Sequence, residues 1–171
     1  VVGMPGGQIY ENLMNGTIDA CEWVGPWNDE RSRFYEAAKY YYGPGYHEPG
    51  TLITLGCNKS WLTSLSKTDQ MIIEHAATVQ NEKMVTEYNA MNGAALNRLV
   101  NDHGVELREF NEDVVDAFGV ASEELYEELA EGDELTGRIL ASYKKARTDI
   151  GGWLNIADTG YSTQRRRVLE G

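Results

Sequence analysis

Glu22 and Glu48 are the residues on which this sequence's chemistry turns. Glu22 closes the run Asp19-Ala20-Cys21-Glu22-Trp23-Val24 against Gly25 and Pro26, and Glu48 sits in the loop His47-Glu48-Pro49-Gly50, ahead of the apolar residues 51–57. In α/β sheets ligands gather at the carboxyl ends of strands, so a carboxylate at such an end, with the Trp23 indole beside it, can meet a ligand while the ring closes one wall of a pocket. If the segment between the two glutamates is a helix flanked by loops, the two strands become neighbours and the carboxylates converge. Converging carboxylates with backbone oxygens suit a hard cation such as Na⁺ or Ca²⁺. The same pair, with one pKa raised, could also serve as acid and base of a glycosidase. Sequence leaves both open here, beside the plainer reading of a surface Glu next to a core Trp.

Other chemistry-bearing types form no further set. Gly6 and Gly7 precede a short helical pattern and could turn N–H groups toward an anion, but no P-loop lysine or dinucleotide fingerprint accompanies them, and Pro5-Gly6-Gly7 reads first as turn chemistry. His47, His75 and His103 lack a second His at helical metal spacing and read as surface histidines, His47 being near enough to Glu48 to line a site. Cys21 and Cys57 are too few for a disulfide scaffold and read as small buried apolar residues. The acidic run from Glu123 to Glu134 reads as a solvated helix face, and Tyr40, Tyr41, Tyr42 and Tyr46 as packing or pocket lining.

The elements that must hold these residues follow from periodicity and turn residues. Val1 and Val2 read as the end of a strand, residues 8–15 as a short helix stopped by Gly16, and residues 17–24 as a second strand. Residues 31–41 read as a helix and 51–57 as a strand, which completes the alternation of an α/β sheet. Ser66 and Asp69 resemble a capping box, after which Met71, Ile72, Ala76, Val79, Val85, Tyr88, Ala95, Leu96 and Leu99 keep a helical period over residues 68–102. Such a helix would be about 50 Å long at ~1.5 Å per residue, longer than a small domain is wide, unless Gly93 divides it. Residues 105–110 read as a strand and 112–130 and 134–148 as helices parted near Gly132. Residues 151–171 carry no clear pattern.

Composition sets the outer bounds. The chain has 171 residues, 42% of them hydrophobic, which is enough for a core, and 27 acidic side chains against 15 basic ones leave a net charge of −12. That charge opposes binding to phosphate backbones, so Arg165, Arg166 and Arg167 do not make a nucleic-acid site. No apolar run reaches the roughly 20 residues that cross a bilayer, so no direct membrane insertion is expected, and no leader peptide opens the sequence.

Taken together, Pro5-Gly6-Gly7-Gln8-Ile9-Tyr10, Gly16-Thr17-Ile18-Asp19-Ala20, Glu22-Trp23-Val24-Gly25-Pro26, Tyr40-Tyr41-Tyr42 and Glu48-Pro49-Gly50 resemble the second half of an extracytoplasmic solute receptor of the TRAP transporter (DctP-type) family, in the branch that binds 2-oxo acids and other small monocarboxylates. The resemblance is dense to about Lys59 and continues as a helical pattern to about Lys145. It implies an α/β fold, the C-terminal portion of a two-lobe periplasmic-binding-protein-like architecture with a long lobe-spanning helix. Residues 1–20 would belong to the second lobe, 21–60 to the first, 61–150 to the long helix and the return to the second lobe, and 151–171 to the tail.

The resemblance also implies a metal cation, Na⁺ or Ca²⁺, beside the substrate carboxylate. Glu22 through its carboxylate, Trp23 through its backbone oxygen and Glu48 match the metal ligands, and Glu22 and Trp23, by its indole, would touch the substrate. The implied partners are a small organic acid and the membrane subunits of a TRAP transporter; the implied location is the periplasm, and neither catalysis nor an organic cofactor is expected. The family's substrate-clamping arginine and a Gln metal ligand would lie upstream of Val1, and Arg31 and Arg33 do not match the clamp. Half of a two-lobe protein leaves apolar surface and strand edges bare, so a homo-oligomer is expected. Two further readings stand beside the receptor: an oligomeric remnant with a structural or interaction role and no ligand, and a hydrolase using Glu22 and Glu48.

Overall fold

The computed structural model describes residues 1–45, 50 and 53–170. Val1–Phe110 and Asn111–Gly171 form two compact units.

The first unit begins with extended residues that enter a 3₁₀ turn, Gly6–Gln8, and helix α1, Ile9–Met14. The 3.6-residue period puts Ile9 and Leu13 on one face, where they meet Phe34, and Met4, Tyr10, Ile18 and Ala37 pack around this cluster. Gly16, at φ +74°, lets the chain turn away after α1, as its position suggested. Helix α2, Pro26–Arg31, starts on a proline at its first position, which needs no N–H there and arrives with its φ already set. A second 3₁₀ turn, Phe34–Glu36, follows Arg33, whose φ of +59° is left-handed. Tyr10 donates a hydrogen bond to Glu36 at 2.6 Å and ties this turn to α1.

Strand β1, Tyr40–Gly43, pairs in parallel with β2, Glu106–Glu109, with Tyr40 opposite Glu106 and Gly43 opposite Glu109. Parallel strands require a long crossover. The connection contains helix α3, Lys59–Ser64, and the 35-residue helix α4, Lys67–Asn101. Ser66 caps α4 by accepting from the Asp69 N–H at 3.1 Å, while the Asp69 carboxylate accepts from the Ser66 hydroxyl at 2.7 Å, so the N-cap expected there forms, and Gly93 does not interrupt the helix. On α4, Tyr88, Asn92, Ala95 and Leu99 share one face, of which Ala95 and Leu99 are buried.

The second unit contains α5, Glu112–Gly132, α6, Glu134–Ile156, and α7, Asp158–Leu169. Asp133 ends α5 in extended backbone and caps α6 by accepting from the Thr136 N–H at 2.9 Å. Arg147 pairs with Glu123, Lys144 with Glu127, and Tyr143 meets Tyr126 edge-on at 5.6 Å, so α5 and α6 run antiparallel. Part of the acidic run is therefore engaged with α6. Among the described residues no helix is long and apolar enough to cross a membrane.

Several sequence expectations are corrected. Val1, Val2 and residues 17–24 are not strands, because β-rich composition becomes a strand only where a neighbour pairs with it, and β1 and β2 are the only paired strands among the described residues. Residues 53–57 are likewise unpaired, and residues 51–52 lie outside the described residues. The helix expected over 31–41 ends at Arg31; the left-handed Arg33 breaks it, and the aromatic run that followed joins β1 instead. Cys21 is exposed and Cys57 half-buried, both free thiols, so neither is a core residue. The tail is helical to Leu169.

Candidate functional site

The Glu22-Trp23-Val24-Gly25-Pro26 block is an extended connection that ends at the first turn of α2. Gly25 takes φ +151°, a conformation that L side chains rarely adopt, and this lets the connection turn directly into Pro26. Helix α2 is fixed to the C-terminal half of α4 through Asn92, Tyr88 and Arg98. Asn92 Oδ1 accepts from the Trp27 N–H at 3.0 Å, an amide that the start of a helix leaves unpaired. The Trp27 ring meets Tyr88 edge-on at 5.2 Å, and the Arg31 guanidinium lies 5.5 Å from the centre of its ring. Arg98 grips Glu30 with two hydrogen bonds, Nε to Oε1 at 2.7 Å and Nη2 to Oε2 at 2.6 Å. These bonds hold the Glu30 carboxyl below the usual carboxylate range. His103 Nε2 stands 3.8 Å from Glu30, and its ring stacks on Tyr35.

Trp23 is the residue most tightly placed within the block. A Cβ added at Gly6 would come within 2.4 Å of the indole Cη2 and 3.0 Å of Cζ3, so the ring rests directly on the glycine backbone. Phe34, itself part of the buried cluster, meets the indole edge-on at 6.2 Å. Between these supports Trp23 remains 38% exposed as a residue. Gly6 therefore has a role different from the anion cradle that its position allowed: it seats the tryptophan.

Glu22 is exposed, and among the described residues its carboxylate enters no ion pair or side-chain hydrogen bond. No backbone hydrogen bond among them ends on the Trp23 carbonyl. A carboxylate and a carbonyl on consecutive residues form an oxygen-only donor set, which fits a hard cation and suits Zn²⁺ or Cu²⁺ poorly. Among the described residues no group of three or more His, Cys, Asp or Glu converges as a metal site. Glu48 and His47 lie outside the described residues; of the expected set the described residues include Glu22 and Trp23, which are adjacent in the chain.

Sequence reading missed Asp29 and Asn92. Asp29 is 7% exposed, accepts from the Tyr41 hydroxyl at 2.5 Å, and accepts from the Gly25 N–H at 3.2 Å. Burial pushes its carboxyl up, while Tyr41 and the Gly25 and Val24 amides pull it down. Burial and the neighbouring carboxylate push the Tyr41 phenol up, so it stays a donor at neutral pH. The signal for Asp29 was its place, three residues past Pro26 in a first helical turn where free N–H groups gather. For Asn92 only contact with α2 could have singled it out.

Residues 1–133 match the family described as bacterial extracellular solute-binding protein, family 7. A monocarboxylate 2-oxoacid-binding periplasmic protein of Nostoc is 35% identical over 158 residues, covering 92% of this chain and 43% of that protein. A TRAP transporter solute-binding protein of Bordetella bronchiseptica, solved as a dimer with calcium and picolinate, is 32% identical with a TM-score of 0.88, covering 98% of this chain and 49% of that one. A TRAP periplasmic solute-binding protein of Colwellia psychrerythraea, solved with calcium and pyruvate, is 35% identical with a TM-score of 0.87, covering 95% and 50%. Its counterpart from Pseudoalteromonas atlantica, solved with sodium and pyruvate, is 32% identical with a TM-score of 0.85, covering 95% and 49%. The chain thus spans about half the length of the relatives that it matches, and its fold is that of the corresponding half of these TRAP solute-binding proteins.

Proposed function

Because this chain belongs to family 7 of the bacterial extracellular solute-binding proteins, we propose that it is a solute-binding component of a TRAP-type transporter that takes a small 2-oxo or hydroxy monocarboxylate together with Na⁺ or Ca²⁺. The observation that carries this reading is Trp23, seated on Gly6 and still partly exposed, next to the exposed Glu22. In this reading Glu22, the Trp23 carbonyl and Glu48 hold the cation, and Glu22 and the Trp23 indole contact the acid. The cation offsets the cost of bringing the acid's carboxylate against protein carboxylates. The pyruvate- and picolinate-bound relatives support both the acid class and the hard cation.

The component works in the periplasm, delivers its ligand to membrane subunits and catalyses nothing. Residues 1–20 belong to the second lobe, 21–60 to the first, 61–150 to the long helix and the return, and 151–171 to the tail. The test is the melting temperature of this chain with Ca²⁺ alone and with Ca²⁺ plus pyruvate. Bound ligand stabilises by mass action, so pyruvate should add to the shift in wild type and add nothing in Glu22→Gln. An identical response of the two proteins refutes the assignment.

A homo-oligomer accompanies this reading, since α5 and α6 leave Leu129 and Ile139 50% and 60% exposed beside a groove that Tyr126, Leu140 and Tyr143 also line. Light scattering that shows a stable monomer at micromolar concentration refutes it. If the oligomer forms and no acid or cation shifts the melting point, a structural or interaction role replaces the receptor reading.

A further inference from the structure

Two parts of the fold back the Trp23 indole. Gly6 lies against the far edge of the six-membered ring, so close that a Cβ there would stand 2.4 Å from Cη2, 3.0 Å from Cζ3 and 3.4 Å from Cζ2. The glycine belongs to the Gly6–Gln8 turn, which is closed by the Gln8 N–H donating to the Pro5 oxygen at 2.9 Å and by the Ile9 N–H donating to the Gly6 oxygen. Phe34 meets the indole edge-on, with ring centres 6.2 Å apart and planes at 79°. Phe34 is 8% exposed and packs with Ile9 and Leu13, so the cluster behind it offers no void into which the indole could retreat. A ligand reaches an indole only across the surface that its supports leave uncovered. Gly6 and Phe34 therefore stand behind the ring as seen from any molecule that touches it, and between them they set how deep it sits.

Resting on the proposed function, in which the indole contacts the acid, we propose that Gly6 and Phe34 are specificity-determining residues that fix how long a 2-oxo acid the site accepts. Glycine at position 6 lets the ring sit deep, and Phe34 stops it from sitting deeper. Against a wall that does not move, each further methylene on the acid must find its own room, and a pocket of fixed size discriminates one methylene by about 10- to 200-fold. The two supports act with opposite signs. A methyl at position 6 drives the ring forward by roughly 1 Å, since carbon atoms pack at about 3.5–4.0 Å, and makes the pocket shallower. A leucine at position 34 replaces a ring with a smaller group and lets the indole recede, which makes the pocket deeper. A mere loss of stability would not reverse its effect on acid length between the two positions.

The test uses the whole chain as wild type, Gly6→Ala, Phe34→Leu and, as a control with nothing within 4 Å of the added methyl, Gly7→Ala. Calorimetry in excess Ca²⁺ reads the dissociation constants of pyruvate and of 2-oxopentanoate, which is two methylenes longer, and their ratio gives the preference for the short acid. Gly6→Ala should raise that preference on the order of tenfold, Phe34→Leu should lower it by a similar factor, and Gly7→Ala should leave it in place. In a Trp23→Phe background, where the shorter ring does not reach position 6, Gly6→Ala should no longer change the ratio. Wild type that binds pyruvate while the ratio stays the same in Gly6→Ala, or moves in the same direction in Gly6→Ala and Phe34→Leu, overturns the inference and leaves the functional reading standing. A ratio that still responds to Gly6→Ala beside Trp23→Phe overturns the action through the indole. If Phe34→Leu does not fold, Gly6→Ala decides the point by itself. Wild type that binds neither acid overturns the functional reading, and the control of acid length falls with it.

Discussion

Gly6→Ala tests the seat under Trp23, and Gly7→Ala supplies its internal control. The new methyl at position 6 would lie 2.4 Å from the indole Cη2, 3.0 Å from Cζ3 and 3.4 Å from Cζ2, whereas nothing lies within 4 Å of a methyl at position 7. Carbon atoms pack at about 3.5–4.0 Å, so the indole must retreat by roughly 1 Å or more at its nearest atom. Overpacking of this kind costs about 1–3 kcal/mol, and the low end applies because the indole is partly exposed and can swing outward. Both substitutions share the gain of about 0.4–1 kcal/mol that replacing glycine brings through the unfolded chain. Their difference therefore isolates the contact. Urea unfolding should place Gly6→Ala about 1 kcal/mol below Gly7→Ala at equal slope. The Trp23 indole N–H resonance, assigned through Trp23→Phe, should shift in the first variant and stay in the second. Equal stability together with an unmoved indole resonance in both variants would refute the seat.

Two more outcomes follow from the frame around the site. Ser66→Ala removes the cap of α4 and should cost about 1 kcal/mol, with hydrogen exchange accelerating at Asp69 and Gln70 first and leaving the segment near Ala95 slow. Arg98→Met should flatten the acid limb of stability. The folded Glu30 carboxyl lies below its unfolded value, so its contribution is full above the ordinary glutamate range and is lost as pH falls through the folded pKa; without Arg98 that loss has no source. Denaturant midpoints between pH 7 and pH 3 check this, and parallel curves for wild type and variant would rule out the pairing.

What the sequence disclosed depended on how local its cause was. The cap at Ser66, the helical period through α4, the break near Gly132 and the stop at Gly16 arise from neighbours within a few residues, and each was legible. The strand expected over 17–24 was not, because pairing is supplied from elsewhere in space, and Tyr40–Gly43 became a strand only through β2, more than 60 residues on. The site divides in the same way. Glu22 and Trp23 stood out by composition beside Gly25 and Pro26, while the residues that orient them act from a distance: Gly6 from before α1, Asn92 from 65 residues beyond Trp27, and Tyr41 from the strand.

That division accounts for the residue types found in so short a block. Gly25 must accept a φ of +151°, Pro26 must begin a helix without an N–H to spare, and Asp29 must lie one turn on to accept from the Gly25 amide. Each of these residues is fixed by the backbone and none by a ligand. Trp23 is then held from two sides: by the turn at Gly6 and by the core at Phe34. Helix α2, which carries Asp29, is in turn pinned to α4 at Asn92 and Arg98. An indole fixed in this manner loses little freedom when a ligand arrives, so more of the contact energy remains as affinity. A surface tryptophan with no such supports would have to be ordered at the moment of binding.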